Sequence, residues 1–156
     1  MQIGHCARVG AFFGALFLIY GVHLPFLPLW LEWRGLSAEE IAVVVATPFF
    51  LRLGVSPGIA FLADRSGRHR GTIVLLGWWS VAMAALLGQL SGFYAILGAA
   101  VALSLAMTTI MPLTEVIAVG GVRAHGCDYG RMRVWGSLTF ILASSIAAWC
   151  IVLLGV

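Results

Sequence analysis

The sequence predicts an all-α integral membrane protein with five transmembrane helices. Of its 156 residues, 62% are hydrophobic and only 10% are charged, whereas a typical soluble domain has about 25% charged residues. The apolar residues form five continuous stretches, each near the roughly 20 residues that a helix needs to cross a bilayer. Because these stretches lack the strict alternation of a membrane β-barrel strand, helices are predicted rather than strands.

Polar residues separate the five predicted spans, which cover residues 9–31, 41–62, 71–90, 92–119 and 132–156. The first span begins like a signal peptide, with Arg8 before an apolar run. It has no small-residue cleavage site, so we expect it to be retained as a membrane helix. Ser37 and Glu40 form a capping-box pattern that predicts the start of the second helix. A polar loop is predicted over 120–128.

The arginines predict which helix ends face the cytoplasm. All nine basic residues are arginine. The loops and ends on one side carry only Arg34, and those on the other side carry Arg8, Arg65, Arg68, Arg70, Arg123 and Arg131. Since basic residues are enriched in cytoplasmic loops, the N-terminus is predicted to lie in the cytoplasm. The net charge of +3 comes mostly from these positions and does not predict a nucleic-acid partner.

The cysteine spacing does not indicate an enzyme, and the sequence lacks the common catalytic motifs. Cys6, Cys127 and Cys150 have no C-x-x-C spacing, and we expect all three to be reduced, on the cytoplasmic side or within a helix. The chain has no H-E-x-x-H or G-x-S-x-G pattern, and its histidines and carboxylates do not cluster at metal-ligand spacing. No catalytic residue, metal site or cofactor is therefore predicted.

The turn between the second and third spans carries the most specific motif. Residues 62–70 read LADRSGRHR and resemble the cytoplasmic signature G-x-L-a-D-r-x-G-r-k of the major facilitator superfamily. The matching positions are Leu62, Ala63, Asp64, Arg65, Gly67 and Arg68. Ala60 and His69 depart from the signature, which usually has a glycine and a basic residue there. Gly67 permits a positive φ, and we expect Asp64 to bind free backbone N–H groups at a nearby helix start.

This resemblance implies a role for the turn in the gating of a transporter. In the family, the turn contacts the second half of the protein, which makes Asp64, Arg65, Gly67 and Arg68 candidate gating residues. The alternative is a generic basic hairpin that only fixes topology. Stretches at 20–26 with 30–31, at 112–115 and at 128–137 further resemble the phenylpropionic acid transporter group, which is related to the lactose permease and nucleoside symporter branches.

The resemblance implies that residues 1–156 form part of the N-terminal six-helix bundle of a twelve-helix secondary transporter. Such a protein is expected in the bacterial inner (plasma) membrane, and its partners would be the lipid bilayer and the missing C-terminal half. It would carry a small organic solute together with H⁺. An aromatic carboxylate is the expected substrate, and an oligosaccharide or a nucleoside is the alternative. Because five spans without a polar tail look interrupted, a truncated, non-transporting fragment or accessory subunit also stays open.

Glu115 and Arg133 are the leading candidates for substrate binding. Exposure of a charge to lipid costs about 2.5–3.5 kcal/mol, so charges in or near the membrane usually face a cavity or one another. Glu115 lies late in the fourth span and Arg133 at the start of the fifth, which predicts a similar depth. In the lactose permease branch, a carboxylate and an arginine at the matching positions bind substrate, and the resemblance implies that role here. A simple ion pair at the membrane interface is the alternative.

Three further side chains are candidates for the same cavity. Arg52 lies near the middle of the second span, where it would bind an anionic group or donate to carbonyls freed by nearby prolines. Tyr20 lies one turn before His23, which could move protons or be an ordinary interfacial group. Ser137 shares a helical face with Arg133.

Glycine spacing predicts two places where helices pack closely. The patterns Gly10-x-x-x-Gly14 and Gly54-x-x-x-Gly58 provide small-residue faces of the kind that let two membrane helices approach. We interpret both patterns as structural rather than as part of a binding site.

Overall fold

The computed structural model describes residues 2–154, with side chains described for residues 4–153. It confirms the five helices, and no strand occurs in this part of the chain. All five are long and apolar enough to cross a membrane. In chain order they are α1 (Gln2–Trp33), α2 (Ala38–Ser66), α3 (His69–Gln89), α4 (Phe93–His125) and α5 (Tyr129–Leu154).

Most helices extend beyond their predicted spans: α1 begins seven residues earlier than predicted, and α4 ends six residues later. Helix α4 continues to His125, so the polar loop predicted over 120–128 is wrong for its first six residues. Hydropathy detects only the part of a helix that is apolar, whereas backbone hydrogen bonds can continue the helix past that part. The helix ends where Gly126 takes a φ of 63°, and the Gly126 N–H donates to the Val122 carbonyl at 3.1 Å.

The start of α2 confirms the capping box. The Ser37 hydroxyl accepts a hydrogen bond from the Glu40 N–H at 3.3 Å, and the Glu40 carboxylate accepts one from the Ser37 N–H at 2.8 Å. These bonds satisfy backbone donors that a helix start would otherwise leave free. The local sequence therefore determines where α2 begins.

The chain divides into two compact units. One contains α1 up to Trp30, the end of α4 from Val116, and α5; the other is Leu31–Glu115, which contains α2, α3 and the rest of α4. In the second unit, the Ser56 and Thr109 hydroxyls form a 2.9 Å hydrogen bond between α2 and α4. Thr109 is fully buried there.

In the first unit, α1 and α5 approach closely where α1 has glycine. A Cβ added to Gly10 would lie 3.3 Å from Trp135 Cδ1, and one added to Gly14 would lie 3.5 Å from Thr139 Cγ2. The close packing predicted for this glycine pair is confirmed. For Gly54 and Gly58 in α2 the prediction is wrong within the described residues, since a Cβ at either position meets no atom within 4 Å.

The expectation of three reduced cysteines is wrong for two of them. Cys6 and Cys127 form a disulfide, with their Cα atoms 5.6 Å apart, although 121 residues separate them in sequence. Cys150 is free and exposed. The pairing depends on how the start of α1 packs against the connection from α4 to α5, and sequence spacing does not contain that information.

Candidate substrate-binding site

Arg133 of α5 lies over two aromatic rings of α1. Its guanidinium carbon is 4.4 Å from the centroid of the Phe17 ring and 5.6 Å from that of Phe13. Both distances are within the range of cation–π attraction, which strengthens when the cation loses its water. The guanidinium is therefore held on an apolar surface rather than extended into solvent.

One guanidinium nitrogen of Arg133 has no hydrogen-bond partner. Nη1 is buried, and no acceptor reaches it among the described residues. A buried polar group without a hydrogen bond costs about 1–3 kcal/mol, and more when it carries charge. The geometry thus leaves a desolvated donor that an anionic ligand could satisfy.

The sequence of α1 and α5 explains why Arg133 reaches these rings. Phe13 and Phe17 are four residues apart and therefore lie on one face of α1. Gly136, one turn after Arg133, lies against this face: a Cβ there would be 2.8 Å from Phe17 Cδ2. Because Gly136 has no side chain, α5 comes near enough for Arg133 to lie across both rings. We call the surface formed by Gly10, Phe13, Gly14, Phe17 and Gly21 with α5 the α1–α5 interface.

Tyr20 lies beside Phe17 in this region, whereas Ser137 forms no hydrogen bond with its described residues. The Tyr20 side chain is buried, and its ring centroid is 5.9 Å from that of Phe17. Ser137 is exposed and has no hydrogen-bond partner among the described side chains. His23 is half-buried. Phe17 thus lies beside both Tyr20 and Arg133, and their shared role in substrate binding stays a prediction.

Glu115 and Arg52 lie in the second unit. Glu115 is half-buried, follows the buried Thr114, and lies about 33 Å along α4 from its start. Within its own unit, its described neighbours provide no hydrogen bond or ion pair. Since Arg133 belongs to the other unit, the pairing of Glu115 with Arg133 stays a prediction.

Arg52 is exposed, and its guanidinium carbon lies 5.1 Å from the centroid of the Phe49 ring. No carbonyl of α2 accepts a hydrogen bond from it within the described part of the chain. The interpretation of Arg52 as a structural donor to carbonyls freed by prolines is therefore contradicted. Its binding of an anionic group stays a prediction.

The signature turn differs from prediction in one respect. Gly67 has a φ of 64°, as expected, and its N–H donates to the Ala63 and Asp64 carbonyls. Asp64, however, does not cap α3, since the N-cap residue Arg68 has no side-chain cap. Asp64 Oδ1 instead lies 2.6 Å from His69 Nε2. His69, on the first turn of α3, is thus the hydrogen-bond partner of the Asp64 carboxylate in place of the backbone N–H groups. Arg65 and Arg68 are exposed.

Sequence reasoning missed the aromatic partners of Arg133. Phe13 and Phe17 lie among the glycines of α1, and that alternation of small and aromatic residues on one face was the available signal.

The side chains described for residues 4–153 include no group of three or more His, Cys, Asp or Glu placed to hold a metal ion.

Comparison with known proteins identifies relatives of this chain. Residues 9–156 match the family model described as "MFS_1 like family". The chain is 25% identical over 130 residues to a probable 3-phenylpropionic acid transporter of Escherichia coli strain K12, an alignment that covers 83% of this chain and 34% of that protein. It is 28% identical over 143 residues to a maltose permease of Geobacillus stearothermophilus, covering 88% and 35%. No solved structure matches it.

The chain spans about a third of the length of these two relatives. The family match nonetheless covers almost all of the described helices. Together with five apolar helices and the signature turn, the match shows that the chain belongs to the MFS_1-like family of major facilitator transporters.

Proposed function

We propose that this chain forms part of the N-terminal half of a secondary active transporter for a small organic anion, coupled to H⁺. Arg133 binds the substrate carboxylate, and Phe13 and Phe17 contact its hydrocarbon part. Tyr20, Glu115, Arg52 and Ser137 are further candidates for the cavity. The turn containing Asp64 and Gly67 gates its cytoplasmic side.

The buried Nη1 of Arg133, which has no hydrogen-bond partner among the described residues, is the observation that carries this proposal. A carboxylate can accept two parallel hydrogen bonds from a guanidinium, and such charge-assisted bonds are stronger than those between neutral groups. The rings of Phe13 and Phe17 lie beside the same guanidinium. A ligand that combines a carboxylate with an aromatic ring, as 3-phenylpropionic acid does, would satisfy both features.

A neutral sugar is the second candidate substrate, because maltose permease is also a relative. Its hydroxyl groups would accept hydrogen bonds from Arg133. The charge of Arg133 and its aromatic surroundings favour the carboxylate, since a sugar hydroxyl gains less from a desolvated positive charge. The two substrate classes separate in a direct competition experiment.

The test measures binding and uptake by the complete protein, as its gene encodes it, in proteoliposomes. We expect radiolabelled 3-phenylpropionate to bind and maltose not to compete. Arg133→Gln should weaken binding by about 10- to 100-fold, which corresponds to the loss of a charged hydrogen bond. Arg133→Lys should bind with intermediate affinity, because an ammonium group cannot form the two-fold contact. Arg131→Gln, an exposed arginine on the same helix, is the matched control and should change binding less than twofold.

Several results would contradict the proposal. Unchanged binding in Arg133→Gln would show that the site is elsewhere, and competition by maltose alone would replace the carboxylate by a sugar.

Proton coupling is tested by uptake. Uptake should accelerate when the outside is acidified and stop when a protonophore is added. Equal uptake with and without a proton gradient would exclude proton coupling.

A further inference from the structure

The Cys6–Cys127 disulfide lies at one end of the α1–α5 interface. Cys6 precedes Gly10 by four residues and Phe13 by seven, so all three share one face of α1. Phe13 and Phe17 therefore lie about 10–16 Å along the helix from the disulfide. The covalent bond anchors the same helical face that carries the rings beneath Arg133.

Noncovalent contacts also hold the start of α1. The His5 and His125 rings are 4.7 Å apart, and a Cβ on Gly121 would be 2.9 Å from His5 Nε2. These groups pack together beside the disulfide, at the same end of the helices. At the opposite end of the interface, Gly21 lies directly against the Phe140 backbone. The disulfide thus adds a covalent link to the noncovalent packing of the first turns of α1.

The disulfide is open to a reactant. A cleft of about 430 Å³ is lined by both cysteines and also by His125, Met132 and Trp135. Cys6 is half-exposed, whereas Cys127 is only 5% exposed. An attacking thiol would therefore reach the Cys6 sulfur more readily than the Cys127 sulfur.

The predicted orientation determines which redox compartment this disulfide faces. The arginine pattern places the start of α1 and the connection from α4 to α5 in the cytoplasm. Disulfides in a reducing cytoplasm are usually transient or redox-sensing, because cellular thiols keep cysteines reduced. A disulfide at this end of the helices is therefore expected to open and close with the thiol pool.

We propose that Cys6–Cys127 is a thiol–disulfide exchange site that reacts with cytoplasmic dithiols and sets the substrate affinity of Arg133. The effect on affinity rests on the proposed function and on the predicted orientation. When the bond is closed, α1 holds Phe13 and Phe17 under Arg133. When it is open, the first turns of α1 separate more readily from α5 and the site loses affinity.

The exchange proceeds in two balanced steps. A thiolate of the dithiol attacks the Cys6 sulfur; a new S–S bond forms, the Cys6–Cys127 bond breaks, and Cys127 leaves as a thiolate that takes up a proton. The second thiol of the reductant, as a thiolate, then attacks the reductant's first sulfur in the mixed disulfide. This step releases the Cys6 thiolate, which is protonated in turn. The protein gains two electrons and two protons, and the dithiol becomes a disulfide.

The test uses the complete protein in proteoliposomes, treated with dithiothreitol or with diamide. Gel shifts with a polyethylene-glycol maleimide count the thiols, and hydrogen exchange measures the protection of residues 4–14. We expect reduction to expose two more thiols, to lower the protection of this segment, and to weaken 3-phenylpropionate binding about fivefold or more. The Cys6→Ser/Cys127→Ser double variant should bind like the reduced protein under both treatments. Cys150→Ser, which removes the exposed free cysteine, should respond like the wild type.

The measurements separate the two proposals. If 3-phenylpropionate binds in neither state, the proposed function fails, whereas thiol counts and hydrogen exchange still test the exchange site. Equal protection of residues 4–14 in both states, or equal affinity in a protein that binds substrate, overturns the regulatory role. A bond that resists dithiothreitol, or maleimide labelling of Cys6 only from the periplasmic side, overturns exchange with cytoplasmic dithiols. The reduced wild-type protein supplies the open state even if the double variant fails to fold.

Discussion

The same glycine spacing has opposite surroundings in α1 and α2. A Cβ on Gly10 or Gly14 would contact α5 at 3.3 or 3.5 Å, whereas a Cβ on Gly54 or Gly58 meets nothing within 4 Å among the described residues. The spacing G-x-x-x-G thus indicates a face that permits close approach. Whether a helix occupies that face depends on partners that the motif does not specify.

The two helices are held by different kinds of contact. In the α1–α5 interface, close approach brings backbone next to backbone and lets aromatic rings pack beneath Arg133. In the other unit, α2 is linked to α4 by the hydroxyl groups of Ser56 and Thr109. Close packing has little tolerance for added volume, whereas a single hydroxyl bond is easily replaced. This difference can be measured by adding or removing a few atoms in each unit.

The largest effect is expected for Gly21→Ala in α1. The new Cβ would lie 2.6 Å from the Phe140 carbonyl oxygen and 3.2 Å from its Cα. Since these are backbone atoms, α1 or α5 must shift, and overpacking of this kind costs about 1–3 kcal/mol. Thermal unfolding of the purified complete protein in detergent should show a clear fall in midpoint temperature. Gly58→Ala is the matched control, and equal midpoints for the two variants would show that α1 and α5 do not pack as described.

A smaller effect is expected for Ser56→Ala in α2. The variant loses the 2.9 Å bond to Thr109, but Thr109 keeps its own bond to the Leu105 carbonyl at 2.7 Å. No buried group is left without a partner, so the loss should be about 0.6 kcal/mol, the average for hydroxyl bonds between membrane helices.

A double-mutant cycle of Ser56→Ala with Thr109→Val isolates this pairwise energy. Ser80→Ala provides the control, because among the described residues the Ser80 hydroxyl bonds only to the Leu76 carbonyl of its own helix. A coupling energy of zero between Ser56 and Thr109 would mean that the hydroxyl pair does not link α2 to α4.

The smallest effect on stability is expected for Gly54→Leu. The open surroundings of Gly54 accept a large side chain without overlap, so the free energy of unfolding should change by no more than about 0.5 kcal/mol. The same thermal assay, applied to the complete protein, provides the measurement. A loss as large as that of Gly21→Ala would show that this face of α2 packs against residues outside the described part of the chain.

The fold was largely predictable because each helix is specified locally. Apolar length predicts that a span exists, and the Ser37–Glu40 box predicts where α2 begins. The end of α4 was not predictable from hydropathy, since its last six residues are helical but not apolar. The six matching positions of the signature turn also predicted the family, because a short hairpin between spans constrains its residues through local geometry.

The candidate site was predictable only in part because it depends on which helices pack together. Arg133 could be identified from its charge and position alone. Its rings, Phe13 and Phe17, lie more than a hundred residues earlier in the chain, and so does the cysteine that pairs with Cys127. Only the packing of α1 on α5 brings these groups together. Helical periodicity contains no information about that pairing.

The bond between His69 and Asp64 has a consequence for how the hairpin of α2 and α3 enters the membrane. Because His69 is the partner of the Asp64 carboxylate, the arginines of this turn have no carboxylate partner among the described residues. These arginines are Arg65, Arg68 and Arg70. The positive-inside rule counts basic residues, and acidic residues contribute little to it. The side chains that form the Asp64–His69 contact therefore differ from the arginines on which that rule acts. The orientation signal of this hairpin thus needs no tertiary contact.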